Sequence, residues 1–302
     1  MAGPVHIPGA GLDADASLAI VAGDGDLPRL LAEHCARSGR AHLVVLFAGD
    51  DPAWAANHPV LRAEFEKPAR LFKALRAGGF AQVTFAGSMR RPQLQPLRFD
   101  WKMLRLAPTL LPALKSGDDA TLSAITAIFT HEGMEIVGAH DVLAALLAPA
   151  GVQTVAKISK ADWADIKRGF EIAEASGAMD VGQGAVVAQG LCLAVESIQG
   201  TDAMLHWVGE TAAPFRPDPR GARGVLCKVP KPGQDWRVDL PAIGPDTMRA
   251  AARAGLAGVA VQAGGILVLG LSETVTAADE AGVFLVGVAR GGRGSRTGGR
   301  GP

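Results

Sequence analysis

Three apolar runs that each end in glycine dictate most of what the first half of this chain can fold into. IVAG closes residues 18–23, LFAG closes 41–49 and TFAG closes 81–87. Each run is too short for a buried helix and is rich in β-branched or aromatic side chains, so each reads as a strand buried on both faces. Helical stretches lie between them. Pro28 suits the first turn of one, and Leu71, Phe72 and Leu75 mark the apolar face of another. Strand alternating with helix implies an α/β domain with a parallel sheet covered on both sides. Ligands of such sheets bind at the carboxyl ends of the strands, where Gly23, Gly49 and Gly87 admit close approach to the backbone. Just beyond one strand end, FAGSMRRP sets Ser88, Arg90 and Arg91 where a phosphate would be met. Gly23 and Gly25 imitate the start of a dinucleotide fingerprint. Its third glycine position holds Pro28, and Asp24 and Asp26 would repel a pyrophosphate.

A length of 302 residues accommodates two domains. The strand–helix rhythm weakens at APAGVQTVAKI, which divides the chain into an N-terminal domain at 17–148, a linker at 149–158 and a C-terminal domain at 159–289. Residues 1–16 and the Gly/Arg tail at 290–302 read as disordered. With 30 basic and 30 acidic residues there is no field to hold a polyanion, which argues against nucleic acid. Cys35, Cys192 and Cys227 stand far apart in apolar contexts and read as buried thiols. The start of the chain lacks the pattern of a secretory signal, so a cytoplasmic location is expected. In residues 254–271 only Gln262 interrupts apolar and glycine positions. That is the length of a short membrane span, but Gln-Ala-Gly-Gly in the middle favours a hairpin between two buried strands.

Further along, Asp118 and Asp119 open a helix as caps, with Leu122, Ile125 and Phe129 on one face and Gly133 as its stop. EIVGAHDVLAALLAP starts as a strand and continues as an apolar helix bearing His140 and Asp141. Ser159 and Asp162 form a capping box for a helix whose Trp163, Ile166, Phe170 and Ala173 make a core face. MDVGQGAVVAQGLCLAVES reads as two strands turned at Gln189–Gly190, with Gln183, Glu196, Thr201 and Asp202 as polar groups beside glycines or strand ends. Residues 228–244, KVPKPGQDWRVDLPAIG, concentrate charge. Strict alternation from Asp235 to Leu240 predicts an extended strand, with Asp235, Arg237 and Asp239 on one face and Trp236, Val238 and Leu240 on the other. Lys228 and Lys231 precede it, so the cluster suits a phosphate ester with a divalent cation; a solvated strand face laced by Asp/Arg pairs is the plainer alternative.

Taken together, IVAGDGDLP, FAGSMRRP, SGDDATL, EIVGAHDVLAALLAPAG, MDVGQGAVVAQG, AVESIQGTDAML and KPGQDWRVDLPAIG resemble the LpxI-type UDP-2,3-diacylglucosamine pyrophosphatases of lipid A synthesis, in order across residues 18–288. The departures are Asp24 and Asp26 where that family usually has glycines. The resemblance implies a Rossmann-like N-terminal domain, a C-terminal α/β catalytic domain and a lipid cleft between them. It implies hydrolysis to UMP and 2,3-diacylglucosamine 1-phosphate, with water attacking the phosphorus on the sugar side and magnesium as the divalent cation. The aspartate of RxDLP, here Asp239, is the implied catalytic acid, and Asp239 and Asp235 are the expected metal ligands. Substrate contacts are expected from Gly23, Gly25, Gly87, Ser88, Arg91, His140, Gln183, Thr201, Asp202, Lys228, Lys231, Gln234 and Arg237. The partners so implied are a lipid-linked nucleotide sugar and, transiently, the inner membrane surface; a homodimer is compatible with the sequence. Two alternatives from other classes are a non-catalytic nucleotide-sugar or lipid carrier and a nicotinamide oxidoreductase, the latter lacking its third glycine.

Overall fold

In the computed structural model, residues 13, 16–47, 49, 51–89, 92–115 and 118–289 are described. Both segments expected to be disordered therefore lie wholly or largely outside the described residues. The chain divides into two compact units: Met1–Ala145 together with Gln234–Asp239, and Leu146–Gly233 together with the chain from Leu240 onward.

The first unit is a five-stranded sheet in the order β3-β2-β1-β4-β5, every pairing parallel. Its elements are β1 (Leu18–Ala22), α1 (Leu27–Ser38), β2 (His42–Phe47), β3 (Val60–Ala63), α2 (Pro68–Ala77), β4 (Gln82–Ala86), α3 (Trp101–Lys115), α4 (Asp118–His131), β5 (Glu135–Ile136) and α5 (Ala139–Val142). β1 is buried along its whole length, as a central strand covered on both faces must be. The strand order reverses between β1 and β4, which is the switch point at which such sheets open a crevice. Phe72, Leu75, Val83, Phe129 and Ile136 fill the core on one side.

The second unit has a six-stranded mixed sheet, ordered β6-β13-β11-β9-β7-β8, and a separate parallel pair, β10-β12. Along the chain these are β6 (Gly151–Val152), α6 (Lys160–Ala178), β7 (Gly184–Ala188), β8 (Leu191–Val195), α7 (Gly200–Thr211), β9 (Val225–Lys228), β10 (Ala242–Ile243), α8 (Pro245–Arg253), β11 (Gly258–Gln262), β12 (Leu267–Val268), α9 (Leu271–Ala281) and β13 (Phe284–Val288). The expected capping box is present: Ser159 Oγ accepts from Asp162 N at 3.1 Å, and Ser159 N donates to the Asp162 carboxylate at 2.9 Å. The β7–β8 turn falls at Gln189–Gly190, both at positive φ (54° and 80°). The buried Asp165 carboxylate accepts both of that turn's amides, at 2.9 and 2.7 Å, so α6 fixes the hairpin tip.

Several expectations are corrected. Residues 235–240 are not a strand: the amides of Val238 and Asp239 both donate to Asp235 O, at 3.1 Å each, and close a turn. The QAGG segment does turn, but its flanking strands do not pair with each other. β11 joins the large sheet and β12 joins β10, because Leu267 N and Leu269 N find Pro241 O and Ile243 O. The helix bearing His140 is a single α-turn, Ala139–Val142, followed by a short 3-10 turn at Ala144–Leu146. Trp163 is exposed rather than core, and Cys192 is exposed because it lies on the edge strand β8. Cys35 and Cys227 are buried as expected. The side chains of Asp118 and Asp119 lie outside the described residues. Among the described residues, no helix is long and apolar enough to cross a membrane.

Candidate functional site

At the switch point of the first unit, the loops after β1 and β4 are joined backbone to backbone. Gly23 N donates to Ala86 O (2.8 Å), Asp24 N to Ser88 O (2.7 Å) and Ser88 N to Asp24 O (3.1 Å). The two predicted glycines are what allows this. A Cβ on Gly23 would sit 2.3 Å from Ser88 O, and one on Gly87, whose φ is +85°, would sit 2.3 Å from Asp24 O. Their missing side chains thus admit each other's loop. Gly25 is different: its φ is +96° with open space around the Cβ position. Ser88 is exposed beside it, and Arg90 and Arg91 lie outside the described residues.

α5 packs on β4 and carries His140 and Asp141, both with buried side chains. Asp141 accepts from Gly138 N at 3.0 Å and so caps this short turn. His140 Nε2 stands 3.7 Å from Asp141 Oδ1. The turn of Gln234–Asp239 belongs to the same unit. Val238 packs against the apolar core of that unit. Asp235 receives Arg237 in a two-pronged fork, Nε to Oδ1 at 2.9 Å and Nη2 to Oδ2 at 2.7 Å, and also accepts the Arg237 amide at 3.1 Å. Hydrogen bonding to Asp235 raises the Arg237 pKa; partial burial opposes this, and the charges of Asp235 and Asp141 add to the rise. Gln234 Nε2 donates to Asp239 Oδ2, which orients the carboxylate that the sequence singles out.

A second polar group is built into the other unit. Lys228, the last residue of β9, is in register with Gly184 of β7, and Gly184 O accepts from the amide of Glu196, one residue past β8. Because Gly184 has no side chain, Lys228 and Glu196 meet, Nζ to Oε1, at 3.5 Å. Thr201 in the first turn of α7 completes the group: Lys228 Nζ donates to its Oγ1 at 2.6 Å, and Oγ1 donates to Glu196 Oε1 at 2.7 Å. Lys228 and Glu196 are both buried, at 5% and 7% exposure, where a charge is tolerated only when paired.

Two comparisons with known proteins bear on these groups. Residues 17–146 match the LpxI N-terminal domain, and residues 149–286 match the LpxI C-terminal domain. The chain belongs to the LpxI family. It is 43% identical over 274 residues to the UDP-2,3-diacylglucosamine pyrophosphatase LpxI of Caulobacter vibrioides, an alignment covering 90% of this chain and 97% of that relative.

The LpxI residues expected at the site fall into two sets. Gly23, Gly25, Gly87, Ser88, His140, Gln234, Asp235, Arg237 and Asp239 belong to the first unit, and Gln183, Thr201, Asp202, Lys228 and Lys231 to the second. Within the second, Lys228 and Thr201 touch, whereas Lys231 pairs with Asp180 at 2.6 Å and Asp202 is exposed. Asp202 lines a separate groove of about 270 Å³ with His206, Glu210, Asp246 and Arg253. Gln183 Oε1 is buried and has no hydrogen-bond partner among the described residues. Glu196, read in the sequence as a polar group beside a glycine or strand end, and Asp141, read on an apolar helix beside His140, carry no role in the sequence reading; only the pairing across Gly184 makes Glu196 a partner of Lys228.

Among the described residues no group of three or more His, Cys, Asp or Glu side chains is arranged to hold a metal. Magnesium, however, is commonly held by one or two carboxylates together with substrate phosphate oxygens. Asp239, steadied by Gln234, has the chemistry of such a ligand. Asp235 has both carboxylate oxygens on a guanidinium, and a cation there would compete with Arg237.

The loop junction yields a test. Gly87→Ala combines a left-handed backbone with a clash against Asp24 O and should cost roughly 2–5 kcal/mol, against about 1–3 kcal/mol for Gly25→Ala, where only the backbone term applies. Urea unfolding of both variants decides it. Equal losses would show that the glycines do not serve the loop crossing.

Proposed function

We propose that this chain hydrolyses the pyrophosphate bond of UDP-2,3-diacylglucosamine to UMP and 2,3-diacylglucosamine 1-phosphate, a step of lipid A synthesis. The observation that carries this reading is the 43% identity to a pyrophosphatase of that name along nearly the full length of both chains. Water attacks the phosphorus on the sugar side. Asp239 would hold a divalent cation, magnesium, which would supply charge neutralisation to the phosphoryl oxygens. The chain's own residues do the rest. Gln234 holds the Asp239 carboxylate in one orientation, and the fork between Asp235 and Arg237 stiffens the turn that presents it. Lys228, held by Thr201 and Glu196, offers an ammonium to a phosphate oxygen, a fixed charge of the kind that phosphoryl transfer requires. A carrier would keep these polar groups without turning the substrate over.

Contact with the inner membrane surface belongs to the same reading. It is supported by Leu97, Trp101 and Leu104, which are exposed on a 3-10 turn and the start of α3 beside Arg98 and Arg105. An indole among arginines and exposed leucines suits the headgroup layer of an anionic bilayer. Flotation with phosphatidylglycerol vesicles should recover the protein, and Trp101→Ser/Leu104→Ser should abolish recovery. Equal flotation of the double variant would remove this face from membrane contact.

The activity is tested at Asp239. Asp239→Ala should lower kcat by about 10³ with magnesium present while substrate binding is retained, the pattern of an interaction made mainly in the transition state. Val238 still anchors the turn, so the melting temperature should stay within a few degrees of wild type. Asp235→Ala should be milder, since it loosens Arg237 without removing the metal carboxylate. A fully active, normally folded Asp239→Ala protein would contradict the mechanism.

A further inference from the structure

The buried group around Gly184 contains a carboxylate that the proposed chemistry does not use directly. Glu196 Oε1 receives the Thr201 hydroxyl and faces the Lys228 ammonium, while Oε2 is buried with no hydrogen-bond donor among the described residues. Oε2 lies so close to Gly184 that a Cβ there would approach it to 2.6 Å, so the carboxylate is fixed on both sides, by a hydroxyl and by the strand itself. A buried ion pair of this kind is seldom more stable than a well-packed apolar replacement, so stability alone does not account for it. Its geometry has a direct consequence for Lys228. An ammonium on a four-carbon stem is mobile and carries three donors. Here one donor is taken by Thr201 Oγ1 at 2.6 Å, and Oε1 lies 3.5 Å from the nitrogen. Thr201 must also donate its own hydrogen to Glu196, which forces its lone pairs toward Lys228 and fixes the direction of that hydrogen bond.

We propose that Glu196 is a positioning residue for the hydrolysis: acting through Thr201 and by its charge, it holds the Lys228 ammonium in one place for a phosphate oxygen of the substrate. This rests on the reading that Lys228 meets the substrate's diphosphate. Glu196 does its work through Lys228 and makes no contact of its own with the reacting phosphorus.

The test is a kinetic cycle on the full chain with UDP-2,3-diacylglucosamine and magnesium. Glu196→Gln keeps the shape and an acceptor for Thr201 but removes the charge; kcat should fall by about 30-fold with KM within about threefold of wild type. Because the effect passes through Lys228, Glu196→Gln/Lys228→Met should be no slower than Lys228→Met alone, to within about threefold. Thr201→Val should lose as much as Glu196→Gln, and Thr201→Ser, which restores the hydroxyl, should be at least about tenfold faster than Thr201→Val. A purely structural role would not produce this pattern. Full activity of Glu196→Gln, or losses that multiply in the double variant, would overturn the proposal. If Glu196→Gln does not fold, the Thr201 pair decides: equal rates for Val and Ser overturn it, and the tenfold difference supports it. A wild-type protein that does not hydrolyse the substrate overturns the activity reading and this proposal with it, whereas an active wild type with a fully active Glu196→Gln overturns this proposal alone.

Discussion

The turn at Gln234–Asp239 is closed from within by a fork between the Asp235 carboxylate and the Arg237 guanidinium. Six residues with no partner strand have little to hold them in a single conformation. Here two charge-assisted hydrogen bonds within the turn, the Asp235 carbonyl accepting two amides and Val238 inserted against an apolar core do so together. Asp239 then emerges with a defined orientation, set by Gln234. The segment is encoded in the second half of the sequence yet belongs to the first compact unit, so the chain leaves that unit at Ala145 and comes back to it for these six residues. An acid that must be rigid is thereby carried on a turn clamped to a parallel sheet rather than on a free loop.

The second unit solves a related problem with a glycine. Strands β9 and β7 and the residue after β8 bring Lys228, Gly184 and Glu196 side by side, and the absence of a side chain in the middle lets opposite charges meet over the sheet. A side chain at that position would collide with the carboxylate, so the pairing and the glycine are one device. At the switch point of the first unit the same economy appears between Gly23 and Gly87, where missing side chains let two loops share hydrogen bonds.

Much of this was legible in the sequence. The apolar runs ending in glycine became β1, β2 and β4, the capping box at Ser159 formed, and Gln189–Gly190 turned where turn chemistry put it. What failed did so for physical reasons. The alternation from Asp235 to Leu240 fits a strand, but an acid two residues before an arginine can close a local fork, and that local bond won over extension. The strands around QAGG looked like a hairpin because they are consecutive; their partners were chosen by distant segments, which periodicity does not reveal. β3 is short and only partly buried, and α3 carries Pro108 and Pro112, so neither showed a strong signal. Of the candidate site, the motif residues can be named from the sequence, but the link between Glu196 and Lys228 exists only once β7 lies between them.

In the proposed hydrolysis, water attacks the sugar-side phosphorus of a bound diphosphate. Turnover of UDP-2,3-diacylglucosamine in ¹⁸O-enriched water, followed by mass spectrometry of both products, reads that event directly. One labelled oxygen should appear in 2,3-diacylglucosamine 1-phosphate and none in UMP. Label in UMP would place the attack on the other phosphorus, and uncleaved substrate would show that the chain does not hydrolyse this lipid.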